Sequence, residues 1–335
     1  MADVIAIFLR DKAQDQANPT ALAKRCSRLL DWWGEKNLIE VTTANCIAYE
    51  RSRGSSGGIR RELEDLRAAI NYHAKEGLHV GAVNVRLPDK GASRDRWLTR
   101  SEAAKLLWAC WRAKEKQRRS RKGPSESLPT KKWTRRHVAR FILLGLYTGT
   151  RAGAIASASL KKGQGRSYVD IENGLFYRLA GGKKATKKRQ PPVPLPDRLM
   201  AHIRRWKESG ISKDYIVEYR GNPVQSVKVA FGGAAEDAGL GDGVTPHTLR
   251  HTAATWLMQA GVDIWEAAGF LGMTTQQLEG TYGHHHPHYM KGASKAMGRR
   301  PGAAKVTPTK TVNQTRTKAT EVERETEDSS EVPDA

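Results

Sequence analysis

The sequence predicts a mainly α protein of two domains, the second carrying a small antiparallel β-sheet. Along most of the chain apolar residues recur at spacings of three and four, the helical period, while strand-like runs punctuated by turn residues gather between residues 168 and 195. Between the helical regions, Pro88 to Arg96 (PDKGASRDR) has the composition of a linker. These observations divide the chain into a helical domain over residues 1–89, a linker over 90–98, a larger α+β domain over 99–298 and a disordered tail over 299–335.

The first domain reads as helices throughout. Thr20 to Trp33 carries Leu22, Cys26, Leu29, Leu30 and Trp33 on one face, Thr42 to Arg51 carries Ile47, and Ile59 to Glu76 carries Leu63, Leu66, Ala69 and Ile70. Val4 to Leu9 is an apolar run too short for a signal or an anchor. Cys26, Cys46 and Cys110 lie far apart within apolar helical patterns, which suits reduced core thiols rather than a disulfide or a metal site.

Past the linker, Thr99-Arg-Ser-Glu102 is a capping box that opens a helix through Leu106 and Cys110. Arg112 to Lys122 then holds seven basic residues and one acid and reads as the frayed end of that helix running into a flexible basic insert. Arg118, Arg119, Arg121 and Lys122 are its candidate phosphate contacts, against the alternative of a solvated loop. Val138 to Tyr147 reads as a buried helix that stops at Thr148-Gly149-Thr150-Arg151, and Ala152 to Leu160 as the next, so that Arg151 stands at a helix start among outward-pointing N–H groups. Tyr168 to Ile171, Leu175 to Leu179 and Pro192 to Leu195 are short strands, with Asn173-Gly174 as a tight turn. The last two are joined by Gly181 to Arg189 (GGKKATKKR), in which five of nine residues are cationic. Asp197 to Lys207 reads as helix, Tyr215 to Tyr219 as a last strand and Val224 to Ala238 as helix.

From Thr245 to Tyr282 the chain runs through three helical segments. The first places His247 and Arg250 three apart, on one face; the second, Ile264 to Leu271, stops at Gly272; the third delivers Tyr282. His251, one residue past Arg250 and so about 100° round the helix, is expected to face the domain interior.

Charge narrows the partner. Lys and Arg number 57 against 35 Asp and Glu, a net charge of +22, which favours a polyanion. No stretch approaches the roughly 20 apolar residues a membrane span requires. The tail segment Glu321 to Asp334 has a net charge of −6, so the remainder carries +28.

Four motifs in order, TGTRAGAI at Arg151, GGKKATKKRQPPVPLP at Lys184, TPHTLRHT at His247 and Arg250, and LGMTTQQLEGTY ending at Tyr282, resemble the tyrosine recombinases, the phage integrase family. The resemblance covers nearly the whole chain up to about residue 298. It implies a two-domain architecture, a helical SAM-like core-binding domain plus an α+β catalytic domain, that closes around duplex DNA. It implies a site-specific recombinase that cuts and rejoins strands through a 3′-phosphotyrosyl intermediate, for integration or excision of a mobile element or phage. In that chemistry Tyr282 is the nucleophile, Arg151 and Arg250 clamp the non-bridging oxygens, His247 transfers a proton, and Lys184, with Lys183 as its neighbouring alternative, protonates the leaving 5′-oxygen. Lys183, Lys187, Lys188 and Arg189 then touch backbone phosphates. No cofactor is implied; the expected partners are double-stranded DNA, further copies of the chain as a tetramer on DNA, and accessory DNA-bending or directionality proteins. The expected location is the cytoplasm, on a bacterial nucleoid or in a phage host.

Two departures stand out. Ala154 occupies a place where the family usually has an acid, and Met273, nine residues before Tyr282, stands where it usually has His or Trp; methionine donates no hydrogen bond. The run His284, His285, His286 and His288 reads as a solvated turn rather than a zinc site, because consecutive residues share no helix face. The readings from other classes are a DNA-binding protein of this fold without catalysis, and a topoisomerase of the IB type.

Overall fold

The apolar stripe of Leu22, Cys26, Leu29 and Trp33 lies along α2 (Pro19–Trp33), which Asn18 caps by accepting a hydrogen bond from the Ala21 N–H at 3.0 Å. In the computed structural model, which describes residues 1–16, 18–54, 56–91, 96–118, 127–182 and 189–297, the chain divides into two compact units, Met1–Asp95 and Arg96–Ala335. In the first, α1 (Ala2–Lys12), α2, α3 (Thr43–Arg53) and α4 (Ser56–Lys75) bury their apolar faces in one core around Trp33, Tyr49, Leu63 and Leu66. The run Val4 to Leu9 is thus part of α1: Val4, Ile5 and Phe8 have helical spacing, and packing against α4 makes a short helix worth forming.

The second unit opens with α5 (Arg100–Arg112), whose capping box forms in both directions: Glu102 N–H donates to the Thr99 hydroxyl at 3.2 Å and Thr99 N–H to the Glu102 carboxylate at 2.8 Å. The basic stretch that follows departs from the expected insert. Lys114–Arg118 is a strand, β1, paired antiparallel with β2 (Ser127–Trp133). Across the hairpin, Lys114 of β1 lies 4.9 Å from the Trp133 ring centroid, and Lys132 of β2 reaches Glu115 at 3.7 Å. Arg119, Arg121 and Lys122 lie outside the described residues.

Next, α6 (Arg136–Thr148) is buried on nearly every side and ends at Gly149, with φ +58°. The helix expected over Ala152 to Leu160 is only α7 (Ala152–Ala156), because Ser159 turns to join extended backbone, donating its N–H to Ser167 O at 2.9 Å and accepting from Val169 N–H at 2.8 Å. A three-stranded antiparallel sheet follows in the order β3 (Tyr168–Asp170), β4 (Leu175–Tyr177), β5 (Val193–Pro194), with Gly174 in the left-handed region at the turn. After α8 (Asp197–Glu208), only Glu218–Tyr219 of the stretch read as a strand is β6, paired with β7 (Asn222–Pro223), while Tyr215 makes an isolated bridge to Ser159. Then come α9 (Lys228–Asp237), α10 (Thr248–Gln259), α11 (Ile264–Leu271), α12 (Thr275–Tyr282) and α13 (Lys291–Met297). Cys26, Cys46 and Cys110 are free and buried. Among the described residues no helix is long and apolar enough to cross a membrane.

Candidate active site

Helix α10 is the platform. Its apolar side, Leu249 and Ala253, packs on α6, and it is stitched to the segment before α5: Leu98 N–H donates to the Thr252 hydroxyl at 2.9 Å and Trp256 Nε1–H to Leu98 O at 3.1 Å. His247 is its N-cap residue, and Arg250 lies one turn in, 5% exposed. The Arg250 guanidinium donates to Gly149 O and to Leu271 O, both at 2.7 Å, and more weakly to Gly272 O at 3.5 Å. It therefore ties the ends of α6 and α11 together. Burial, then Arg151, holds its pKa down to about 10, and it remains a cation at neutral pH.

Two glycines make this close approach possible. A Cβ on Gly149 would lie 2.3 Å from Leu271 Cδ2, and one on Gly272 would lie 2.8 Å from Arg189 O. Just before Gly149, Thr148 Oγ donates to Leu144 O at 2.6 Å and accepts from Thr150 N–H at 3.3 Å, which fixes the turn that presents Arg151 at the start of α7. Arg151 Nη1 donates to Arg189 O at 2.9 Å, and burial lowers its pKa. Where the acid is missing, α7 is pinned from behind, Ser167 Oγ donating to Ala154 O at 2.6 Å.

Tyr282 is the last residue of α12, its ring packed in a small core with Ala253, Ala268, Leu271 and Leu278. Its hydroxyl lies 2.6 Å from His251 Nδ1. His251 is therefore half-exposed at the site rather than turned to the interior. The relation that matters is to His247, four residues earlier and on the same side of the helix, and the two rings meet edge-to-face at 4.9 Å. His247 is held below the ordinary histidine range by burial first, then by His251, Arg250 and Arg151, so it is neutral at pH 7. Met273 packs against the core that holds Tyr282, filling apolar space where a donor was expected.

Arg151, His247, Arg250 and Tyr282 thus converge. Lys183, Lys184, Lys187 and Lys188 lie outside the described residues. Arg189 is exposed, and it contributes its carbonyl to Arg151. One further cation escapes the motif reading: Arg178, next after β4 and 3% exposed, donates Nε–H to Pro191 O at 2.7 Å. The signal for it is strand parity, because Arg178 falls on the same face as the buried Phe176. After Tyr282, His284 and His285 stand with ring centroids 4.0 Å apart, and Trp97 packs edge-on against His285 at 5.6 Å.

A phenol hydrogen-bonded to an imidazole, beside two guanidinium groups and a second histidine, has the groups that phosphoryl transfer to a tyrosine would use. Comparison with known proteins gives the family. Residues 124–288 match the phage integrase family. The chain is 30% identical over 263 residues to tyrosine recombinase XerA of Thermococcus kodakarensis, covering 75% of this chain and 79% of that one, and 27% identical to XerA of Pyrococcus furiosus, covering 69% and 72%. In structure it is similar to the Tn1549 transposon integrase in complex with transposon right end DNA (TM-score 0.63, 13% identity, 88% and 99% covered) and to a lambda integrase dimer bound to a COC' core site (TM-score 0.60, 18% identity, 84% and 76% covered). The chain belongs to the tyrosine recombinase family of phage integrases, as a tyrosine site-specific recombinase.

Proposed function

We propose that this recombinase binds duplex DNA and uses Tyr282 to break one phosphodiester at a time, and that the single observation carrying this reading is the His251–Tyr282 hydrogen bond beside Arg250. The phenolic proton passes to His251 Nδ1 as the tyrosine oxygen bonds to phosphorus. The bond from phosphorus to the 5′-oxygen breaks, and Lys184 donates the proton that makes it a 5′-hydroxyl. A 3′-phosphotyrosyl link remains, and a partner strand's 5′-hydroxyl reverses the steps. A tyrosine of ordinary pKa near 10 is a weak nucleophile, so the cations carry much of the work: Arg151 and Arg250 bind the non-bridging oxygens as their charge grows, and His247 shares in the proton transfer.

The unit Met1–Asp95 serves as the core-binding domain and the second as the catalytic domain. The described residues around α13 are exposed, with Met290 at 64% and Met297 at 88%, and they suit the family's mode of docking the segment after the nucleophile on a neighbouring copy. A tetramer on two DNA sites, acting in the cytoplasm on a mobile element with accessory DNA-bending or directionality proteins, follows from the resemblance. Lys183, Lys187, Lys188, Arg189 and the β1 end with Arg118, Arg119, Arg121 and Lys122 contact backbone phosphates.

The test begins with sequencing the DNA junctions the protein makes in cells, which gives its site. A nicked duplex carrying that site should then trap a covalent adduct with the native protein and none with Tyr282→Phe, while both shift the duplex equally on a gel. An adduct with Tyr282→Phe would move the nucleophile to Tyr289.

A further inference from the structure

Among the described residues of the second unit, three arginines are almost wholly removed from water: Arg140 at 5%, Arg178 at 3% and Arg250 at 5% exposure. Arg140 has a structural explanation. It donates to Ile216 O and Glu218 O, both at 2.7 Å, and the Glu218 carboxylate opposes its charge. Arg178 has only part of this compensation. Nε is bonded to Pro191 O, but Nη2 is buried with no hydrogen-bond partner among the described residues, and no carboxylate acts on it. A charged donor left in that state is costly to bury, and a fold carries the cost only if something else fills the gap.

The neighbours of Arg178 are the other two cations of the site. The segment from Arg189 to Pro191 accepts from Arg151 through one carbonyl and from Arg178 through another. The same segment lies against Gly272, whose carbonyl accepts from Arg250. Burial first, then Arg250 and Arg151, presses the Arg178 pKa down to about 10, so the groups are close enough to repel one another. Three guanidinium groups gathered on backbone carbonyls, with no acid among the described residues paired to any of them, form an electrostatic arrangement completed by an anion.

We propose that Arg178 is a third arginine of the phosphate pocket, sharing the scissile phosphate with Arg151 and Arg250 and supplying the donor that Met273 lacks. The proposal rests on the reading of this site as the place of strand cleavage. It fits the charge change of the reaction: a phosphodiester with one negative charge becomes a phosphorane with two, and an extra cation already in place acts most strongly on the second.

The experiment uses the full chain, the nicked duplex carrying the protein's site, and a second duplex in which a methylphosphonate replaces the scissile phosphate, so that one charged oxygen becomes a neutral methyl. On ordinary phosphate Arg178→Met should cleave about a hundredfold more slowly than the native protein, as for loss of one transition-state donor. On the methylphosphonate the gap should shrink to a few-fold, because the charge that Arg178 meets is gone. Arg178→Lys, which keeps the charge but not the fork, should lose less on phosphate and show the same shrinkage, and it serves as the reading if Arg178→Met does not fold. Cleavage by Arg178→Met within threefold of native on ordinary phosphate would overturn the proposal. A gap of the same size on both duplexes would overturn it as well, since a merely structural residue ignores the charge of the substrate. Failure of the native protein to form an adduct would instead count against the proposed strand cleavage.

Discussion

Glu62 in the first unit and Arg250 in the second are both cut off from water, at 0% and 5% exposure, yet they are surrounded in opposite ways. Glu62 accepts from the Tyr49 hydroxyl at 2.7 Å, from Arg53 at 3.1 and 3.2 Å and from Arg28 at 3.2 Å. Burial alone would raise its pKa, but these donors outweigh it and the carboxyl sits below its ordinary value. Arg250 donates to backbone carbonyls, and the charged group that acts on it, Arg151, carries the same sign and lowers its pKa. A charge that serves the fold has its counter-charge built in. Arg250 is positioned by backbone and has no acid paired to it among the described residues, as the proposed phosphate site would require.

The largest effect that would break this contrast is on chemistry. Arg250→Met should lower cleavage of the nicked duplex by about a thousandfold, while changing stability by less than about 2 kcal/mol, because the carbonyls it leaves behind are offset by relief of a desolvated charge. Glu62→Leu should do the reverse, costing roughly 2–4 kcal/mol by stranding Tyr49 and two arginines, with cleavage per folded molecule unchanged. Urea midpoints and single-turnover cleavage on both variants decide it; an Arg250 variant that unfolds as readily as the Glu62 variant would erase the distinction.

A smaller effect sharpens it. His137 is buried beside Arg140, and burial first, then that arginine, holds its pKa at about 4, with Nδ1 lacking a partner among the described residues. The unfolded chain binds the proton near pH 6.5 and the folded chain does not, so this group's contribution is intact above pH 6.5 and is lost as pH falls towards 4. The loss amounts to about 2 kcal/mol by pH 5. Melting curves from pH 7 to 5 should show it, and His137→Gln should flatten the dependence; an equally steep dependence in that variant would place the titration elsewhere.

The smallest effect belongs to the basic stretch after α5. Neutralising Arg118, Arg119, Arg121 and Lys122 should weaken binding to specific and random duplex alike and reduce the salt slope by close to one unit for every DNA phosphate these side chains neutralise. An unchanged slope would remove these four residues from the DNA contacts.

Local signals carry the sequence reading furthest. The Thr99–Glu102 capping box and the stop of α11 at Gly272 are legible because capping chemistry is written in neighbouring residues. The motif residues Arg151, His247, Arg250 and Tyr282 are legible by order along the chain, and the structure brings them together. The strand β1 is not, since seven basic residues in eleven look like solvated chain, and its pairing depends on Trp133 and Glu115 meeting cations across the hairpin. Helix α7 ends early for a tertiary reason, the capture of Ser159 by extended backbone. The place of His251 is hidden when its angle is measured from Arg250 instead of His247, and its partner, Tyr282, lies thirty-one residues on. Arg178 needs both the parity of β4 and the position of Pro191.

Gly149 carries a consequence for how such a protein varies. Its left-handed φ excludes most side chains, a Cβ there would collide with Leu271, its carbonyl holds Arg250, and two residues later comes Arg151. Every codon for glycine lies one nucleotide from alanine, aspartate or glutamate, and valine, so the smallest possible genetic change reaches both Arg151 and Arg250 at once without touching either. A copy of this gene that has lost its activity can therefore keep every motif residue intact, and the record of the loss would be a single glycine.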